Sequence, residues 1–152
     1  MLSYIASNPM EDLIKGVCEE LNITILSKIG EIDFLQYIKE TKVNFKLIKY
    51  IIIELKSLKG TEENIINGIR YFYEVYPNIR IIILASGYDD QNDILTNLYE
   101  KGIYNIINSV ELEKIKSELK KSLISDGLSK KDSKKFKKAE IIKKQKENNL
   151  KK

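Results

Sequence analysis

A single acidic residue ends a strongly apolar stretch in the first half of the chain. Glu54 follows residues 50–53 (YIII), a β-branched run that is typical of a strand buried on both faces. In a parallel α/β domain, the carboxyl end of a central strand is where chemistry is usually sited. An acid at that point is a candidate for accepting a phosphoryl group, provided that other residues supply a metal ion and a cation.

The residue types that are missing narrow this chemistry. The chain has no histidine, which excludes Ser-His-Asp and Cys-His catalysis, phosphohistidine relays and most zinc sites. Its one cysteine, Cys18, cannot form an intrachain disulfide, and its helical spacing predicts a position in the core. Carboxylates, hydroxyls, lysines and backbone groups remain for chemistry.

A second group of acids, Asp89, Asp90 and Asp93, has two interpretations. Carboxylates so close together suggest a divalent-cation site. Two of them also stand where a helix is predicted to begin, and acids are favoured there by capping and by the helix dipole. We prefer capping, and we expect no metal ion and no cofactor.

These residues are positioned by an alternation of apolar strands and amphipathic helices. Strands are predicted at residues 2–7, 23–26, 49–55, 79–86 and 103–107, and helices begin near Asn8, Glu31, Thr61, Asp89 and Val110. Strict alternation predicts a parallel sheet with helices on both faces. Residues 1–126 suit a flavodoxin-like α/β domain, a three-layer sandwich with strand order 2-1-3-4-5.

The composition changes at residue 127. Residues 127–152 hold eleven lysines and three acids, a net charge of +8, whereas residues 1–126 carry −4. Because apolar residues are sparse there, we predict a linker or tail that is disordered or transiently helical and buries no core. Its lysines suggest nucleic acid or anionic lipid as partners. The tail has no arginine and little aromatic interleaving, so we favour a linker over a binding element.

No stretch of the sequence is suited to a membrane or to export. No segment approaches the roughly 20 apolar residues of a membrane span, and the N-terminus lacks the basic start and long apolar run of a signal peptide. We therefore expect a cytoplasmic protein without a membrane span.

The third and fourth predicted strands carry the most recognisable pattern, residues 50–54 (YIIIE) and residues 81–90 (IIILASGYDD, strand and loop). With the order of elements, they resemble the receiver domains of response regulators over residues 1–124. The resemblance places Glu54 where the phospho-accepting aspartate stands and Ser86 near the Thr/Ser switch residue.

The chain departs from that family at the phosphorylation site. Receivers hold Mg²⁺ with an acidic pair after the first strand, where this chain reads Ser-Asn-Pro at residues 7–9, and they end strand five with a lysine, where this chain has Asn108. Glu54 is also one methylene longer than aspartate, and errors of about 1 Å can cost ~100-fold in rate. The resemblance therefore implies degenerate phospho-site positions without catalysis: Glu54, Asn8, Ser86 and Asn108. Glu54 is then either a fixed mimic of a phosphorylated aspartate or a solvated acid at a strand end.

Residues 58–77 (LKGTEENIINGIRYFYEVYP) and 95–107 (LTNLYEKGIYNII) carry a second, closer resemblance. They are similar to the atypical receiver-like N-terminal domains of MinD/ParA-type ATPases of the TadZ/CpaE kind, which localise secretion or pilus machinery. In that family a linker and a Walker-type ATPase follow, and this chain has no G-x-x-x-x-G-K-[ST] motif. The resemblance implies interaction and localisation.

Three tyrosines are candidates for an interface. Tyr88, Tyr99 and Tyr104 fall in the region that corresponds to the face through which receivers commonly dimerise, and tyrosine is enriched at contacts. The resemblance thus implies a homodimer. Tyr104 has a second interpretation, as a packing residue.

The sequence therefore favours a non-catalytic, receiver-like domain for protein interaction and dimerisation. We expect it to be the N-terminal regulatory or localisation module of a MinD/ParA-type ATPase in a secretion, pilus or conjugation system. The alternatives are a divergent phospho-receiver of two-component signalling and a nucleic-acid-binding adaptor that acts through the tail.

Overall fold

The computed structural model describes residues 1–139 and, for Lys28, the backbone alone. This range contains five parallel strands, five α-helices and three short 3₁₀ turns. The predictions for residues 140–152 lie outside this range. The strands and helices in chain order are β1 Leu2–Ile5, α1 Asn8–Glu20, β2 Ile25–Ile29, α2 Phe34–Glu40, β3 Tyr50–Glu54, α3 Glu62–Val75, β4 Arg80–Leu84, α4 Asp93–Glu100, β5 Asn105–Ile107 and α5 Leu112–Leu123.

The strands form one parallel sheet in the order β2-β1-β3-β4-β5. Ile5 is opposite Ile53, and Glu54 is opposite Leu84 on the next strand. This arrangement confirms the predicted flavodoxin-like fold. It also places the ends of β1, β3, β4 and β5 along one carboxyl edge of the sheet.

Alternation along the strands builds two cores. On β3 and β4, the odd-numbered isoleucines such as Ile51 and Ile53 pack with α2, α3 and α4, whereas even-numbered residues such as Ile52 and Leu84 pack with α1 and α5. Successive side chains of a strand point to opposite faces, so a continuous apolar run is needed when helices cover both faces. The isoleucine-rich runs that indicated buried strands are explained in this way.

Two strands begin later than predicted, for the same reason. Asn22 has a φ of 56° and Gly102 a φ of 96°, and the amides of Ile23 and Ile103 donate to the carbonyls of Cys18 and Leu98 inside the preceding helices. This is the closing motif of a helix, in which an apolar residue after the left-handed position packs back onto the last turn. Ile23 and Ile103 therefore end α1 and α4, and β2 and β5 begin two residues further on.

Three helices also begin later than predicted, and α5, with its cap at Glu111, is the one with the smallest difference. The backbone of Ile32 exchanges hydrogen bonds with Ser57 and Lys59, which holds it in an extended bridge, so α2 starts after the cap residue Asp33. Asp89 and Asp90 do not cap α4, because Asn92 is its cap and accepts the amide hydrogen of Ile94 at 2.9 Å. The loop between β4 and α4 is accordingly longer than the sequence suggested.

Candidate functional site

Glu54 lies at the carboxyl edge of the sheet but is turned into the fold. Its side chain is buried, with a residue exposure of 6%. One carboxylate oxygen, Oε1, accepts a hydrogen bond from the backbone N–H of Ser7 at 2.9 Å and another from the Ser57 hydroxyl at 3.1 Å. Hydrogen bonds to a carboxylate are among the stronger ones in proteins. Glu54 thus connects the end of β3 to the loop after β1.

Ser57 is a partner that sequence reasoning missed. It is 1% exposed and lies in the 3₁₀ turn Leu55–Ser57 that directly follows β3. The available signal was a hydroxyl three residues after an acid at a strand end, a spacing at which one turn brings the two side chains together. The turn therefore supplies the acid with a donor from its own segment.

Asn8, the predicted counterpart of the metal-binding acids, does not take part in these bonds. It is exposed and is the first residue of α1, and Ser7 rather than Asn8 is the helix N-cap. Pro9 follows within the first turn, where its missing N–H costs nothing. The residue that meets Glu54 is thus Ser7, through its backbone.

Asn108, which the sequence resemblance aligned with the lysine of receivers, holds the loop after β4. Its side-chain amide donates to the carbonyl of Tyr88 at 2.9 Å and to Oδ1 of Asp90 at 2.7 Å, and its own carbonyl accepts from the amide of Gly87. These bonds connect the end of β5 to the loop that leads into α4. A neutral amide thus holds together two segments of the carboxyl edge.

Ser86 lies inside that fastened loop. The amide of Tyr88 donates to the carbonyl of Ala85, which makes Ser86 and Gly87 the central residues of a β-turn, and Gly87 has a φ of 83°. The hydrogen bonds of Glu54 come from Ser7 and Ser57 and not from Ser86. The candidate acid and the candidate switch residue are therefore not joined.

Tyr88 lies near Glu54 rather than beside the other candidate interface tyrosines. Burial raises the pKa of its phenol, and the negative charges of Glu54 and Glu62 raise it further. Tyr88 precedes α4, whereas Tyr99 lies in the last turn of that helix and contacts the ring of Tyr104 edge-on, with centroids 5.4 Å apart. The structure thus brings two of the three tyrosines together.

The residues at the carboxyl edge do not fit the magnesium site of a receiver. No group of three His, Cys, Asp or Glu side chains suited to a metal ion occurs among residues 1–139. Glu54 is engaged by Ser7 and Ser57, and Glu11, in the first turn of α1, pairs with Lys15 at 2.8 Å. The donor set that Mg²⁺ prefers, several oxygens free to converge on one point, is not assembled here.

Residues 127–139, which we call the clasp, pack against α4, β5 and α5. Phe136 is fully buried in the same core as α3 and α4, and Leu128 and Ser133 are also buried. The sequence predicted a tail that buries no core. The difference arises because one buried aromatic side chain is enough to anchor a lysine-rich turn, provided that side chains of the domain form hydrogen bonds with the backbone of that turn.

Polar bonds fasten the clasp along its length. The amide of Leu128 donates to the side chain of Asn105 at 2.8 Å, and the hydroxyl of Ser133 donates to the carbonyl of Tyr104. The side chain of Gln91 donates to the carbonyls of Lys135 and Lys137, and its oxygen accepts from the amide of Ala139 at 2.9 Å. The clasp is therefore held at its start, middle and end.

A local motif shapes the clasp itself. The amide of Ser129 donates to the Asp132 carboxylate at 2.9 Å, and the amide of Asp132 donates to the Ser129 hydroxyl at 3.1 Å. This reciprocal pair is a capping box, for which the spacing S-x-x-D was a readable signal. The bonds from Ser129, with a smaller contribution from Lys121, lower the pKa of Asp132.

The clasp changes the predicted interface. Tyr99 is only 6% exposed, and the backbone of Tyr104 is bonded to Ser133. Dimerisation through Tyr88, Tyr99 and Tyr104 stays a prediction, and any such contact at Tyr99 and Tyr104 has to include clasp residues. In residues 1–139, no helix is both long and apolar enough to cross a membrane.

Comparisons with known proteins give a consistent result for the fold. No family model matches the chain, and no curated protein matches it. One similar structure is the RcsB response regulator of Salmonella typhimurium, with a TM-score of 0.58 and 17% identity over 90% of this chain and 68% of that one. Another is RcsB of Salmonella enterica serovar Typhimurium bound to a promoter in the presence of the phosphomimetic BeF3⁻, with a TM-score of 0.60 and 19% identity over 81% of this chain and 58% of that one.

At such low identity the likeness concerns the fold alone, and the chain spans between about half and two thirds of the length of these structures. The strand order, the two helical layers and these neighbours agree. The chain has the fold of a response-regulator receiver domain.

Proposed function

We propose that this domain works without catalysis, as a receiver-like module for protein interaction. The observation that carries the proposal is the state of Glu54, which is buried and accepts bonds from Ser7 and Ser57. An acid that accepts a phosphoryl group has to present its oxygen to the donor and to a metal ion. Glu54 instead serves as an anchor between β3 and the β1–α1 loop.

The same contacts argue against Glu54 as a fixed mimic of a phosphorylated aspartate. A mimic would draw the switch residue toward the acid, and the bonds of Glu54 come from other residues. Asn108 holds the β4–α4 loop by hydrogen bonds from its neutral amide to Tyr88 and Asp90. We infer that fixed internal bonds set the arrangement of both loops, so that the surface is presented constitutively.

We further propose that the domain is the N-terminal regulatory or localisation module of a cytoplasmic MinD/ParA-type ATPase in a secretion, pilus or conjugation system. The support is the resemblance in residues 58–77 and 95–107, which form the α3 region and the segment from α4 to β5. The test is the continuation of the native open reading frame beyond residue 152. A Walker motif there is expected, and an unrelated continuation or a stop codon would contradict this assignment.

The absence of phosphorylation has a direct test. The full chain is incubated with acetyl phosphate and Mg²⁺, or with BeF3⁻ and Mg²⁺, and is followed by intact mass and by amide NMR spectra. We expect no phosphoryl adduct and no shifts around Glu54, Ser57 and Ser86. An adduct that disappears in Glu54→Gln would overturn the proposal in favour of the divergent phospho-receiver, and a phosphorylatable receiver treated in parallel shows that the reagents are active.

Dimerisation is tested by sedimentation equilibrium. We expect a monomer–dimer equilibrium that does not respond to BeF3⁻ and Mg²⁺, because the contacts at the carboxyl edge are already made internally. A monomer at every concentration would contradict the proposed homodimer. A dimer formed only with BeF3⁻ would instead support regulation by phosphorylation.

A further inference from the structure

Beside the last turn of α4, the clasp and the domain enclose a groove of about 620 Å³. Lys130, Lys131, Lys134, Lys137 and Lys138 line its clasp side, and all five are exposed. Tyr99 and Tyr104 line it from the domain. We call it the lysine–tyrosine groove.

The charges of the groove are not balanced from within. No ion pair joins its five lysines to a carboxylate in the part of the chain that the structure describes, and one acid, Glu100, lies among the lining residues. Lysines elsewhere do find partners, as Lys116 and Lys120 do with Glu20. Like charges held close together repel each other, and a bound polyanion relieves that repulsion.

The lysines are held in place by the backbone that carries them. Phe136 is buried, Gln91 bonds to the carbonyls of Lys135 and Lys137, and the Ser129–Asp132 pair shapes the preceding turn. A concentrated positive charge on an ordered backbone loses less entropy on binding than the same charge on a flexible tail. The groove is thus prepared for an extended anion rather than for a single counterion.

The two tyrosines indicate which polyanion fits. Their rings meet edge-on, with centroids 5.4 Å apart. Tyr99 is buried, whereas Tyr104 is partly exposed, so the ring of Tyr104 is the aromatic surface that the groove offers together with the lysines. A positively charged groove with aromatic side chains is the arrangement by which proteins bind single-stranded nucleic acid, since bases stack on the rings and phosphates meet the cations. Only the fold brings the two sets together, because the lysines and the tyrosines come from different parts of the sequence.

Other anions fit less well. The large apolar side chains exposed in the described residues, such as Leu47 and Leu112, do not line the groove, so a membrane surface would gain charge attraction without insertion. The groove is concave, whereas reading of a duplex needs a helix or β-ribbon that projects into the major groove. We propose that the lysine–tyrosine groove binds single-stranded nucleic acid with little dependence on base sequence. This binding activity goes beyond the protein-interaction role proposed above.

The test uses the full chain and a fluorescently labelled single-stranded oligonucleotide of mixed sequence, measured by anisotropy over a range of salt concentrations. Five phosphate contacts predict a slope of about −3.5 for the logarithm of the binding constant against the logarithm of salt. Replacing Lys130, Lys131, Lys134, Lys137 and Lys138 with Gln is expected to weaken binding at least ~10-fold and to flatten this slope.

A matched control separates the groove from charge alone. Residues 140–152 contain the same number of lysines, Lys143, Lys144, Lys146, Lys151 and Lys152, and their replacement with Gln gives the same net charge. We expect the control to keep most of the binding. Equal losses of affinity in both variants, or a larger loss in the control, would show general attraction to a charged tail and would overturn the proposal that the groove is the binding site.

The contribution of base stacking is tested by replacing Tyr104. Tyr104→Leu keeps an apolar side chain and removes the ring, and we expect affinity to fall ~5-fold or more, because stacking contributes about 1–3 kcal/mol per base. An unchanged melting temperature shows that the variant is folded, and Tyr104→Met, which also removes the ring, serves if it is not. Unchanged affinity in a folded variant overturns the stacking arrangement. Tighter binding to a duplex of the same length or to phosphatidylserine vesicles overturns the choice of ligand.

Discussion

At the carboxyl edge of the sheet, Glu54 and Asn108 are bonded to other parts of the fold, whereas in the lysine–tyrosine groove five lysines face solvent without a described carboxylate partner. Both regions gather polar or charged side chains of kinds that carry function. At the edge, each of these two residues closes a contact between loops. In the groove, the backbone of the clasp makes the contacts with the domain, and the charged ends of the lysine side chains have no ion-pair partner among the described residues.

This difference bears on how function is assigned in a divergent copy of a known fold. An acid at the carboxyl end of a central strand, such as Glu54, can be accounted for by its bonds to the neighbouring loops. Charge that no internal contact explains is the better indicator of a binding surface. The predictions below test this contrast, beginning with the largest expected effect.

Replacing Phe136 with Ala should break the clasp. The side chain is fully buried, and removing a buried phenylalanine costs about 3–5 kcal/mol of the free energy of unfolding. Urea denaturation measures the loss, and hydrogen exchange of residues 127–139 shows whether the clasp detaches first. Phe136→Leu is the matched control, with an expected loss of about 1 kcal/mol. Unchanged stability of Phe136→Ala would mean that the clasp is not anchored by this ring.

Replacing Glu54 with Ala should destabilise the carboxyl edge. The change leaves the Ser7 amide and the Ser57 hydroxyl without their acceptor, and such buried groups cost about 1–3 kcal/mol. The free energy of unfolding from urea titration measures the effect. Glu54→Gln keeps an acceptor oxygen and should lose less, and Glu63→Ala, at an exposed position of α3, should change stability by at most ~0.5 kcal/mol. If all three variants match the wild type, Glu54 is not an anchor.

Replacing Gln91 with Ala should loosen the end of the clasp. Its side chain bonds to Lys135, Lys137 and Ala139, and neutral hydrogen bonds contribute about 1 kcal/mol net. We expect the amide of Ala139 to exchange ~5-fold faster, a rate ratio that corresponds to about 1 kcal/mol. Gln36→Ala, which removes a bond to Glu40 on the surface of α2, should leave that amide unchanged. Equal protection in Gln91→Ala would contradict the bonds described for this side chain.

The smallest expected effect is a loss of amide protection in the clasp at low pH. The bonds from Ser129 lower the pKa of Asp132 below its ordinary value of 3.8. The ionised carboxylate therefore stabilises the folded turn above that value, and this stabilisation is lost as the pH falls through the lowered pKa. We expect the amide of Ser129 to lose protection below about pH 4. Asp132→Asn should abolish this pH dependence. The same acid-induced loss in the variant would assign it to another carboxylate.

Much of the fold could be predicted from the sequence, because it depends on local patterns. The isoleucine runs of β3 and β4, the cap at Thr61 and the helix end at Gly102 are encoded within a few residues. The starts of β2 and β5 were predicted too early because apolar residues there serve a helix end, as Ile23 and Ile103 do, and the pattern of an apolar run does not distinguish that role from a strand.

The candidate site was predictable in composition and not in contacts. The sequence by itself determined the strand order, the acid at the end of β3 and the neutral residues Asn8 and Asn108 after β1 and β5. Only the tertiary structure decided that Glu54 turns inward to Ser7 and Ser57 and that Phe136 anchors the clasp beside Tyr99 and Tyr104. The physical reason is that local periodicity is written in neighbouring residues, whereas the partners of a buried acid or a buried ring lie far along the chain and are brought together by folding.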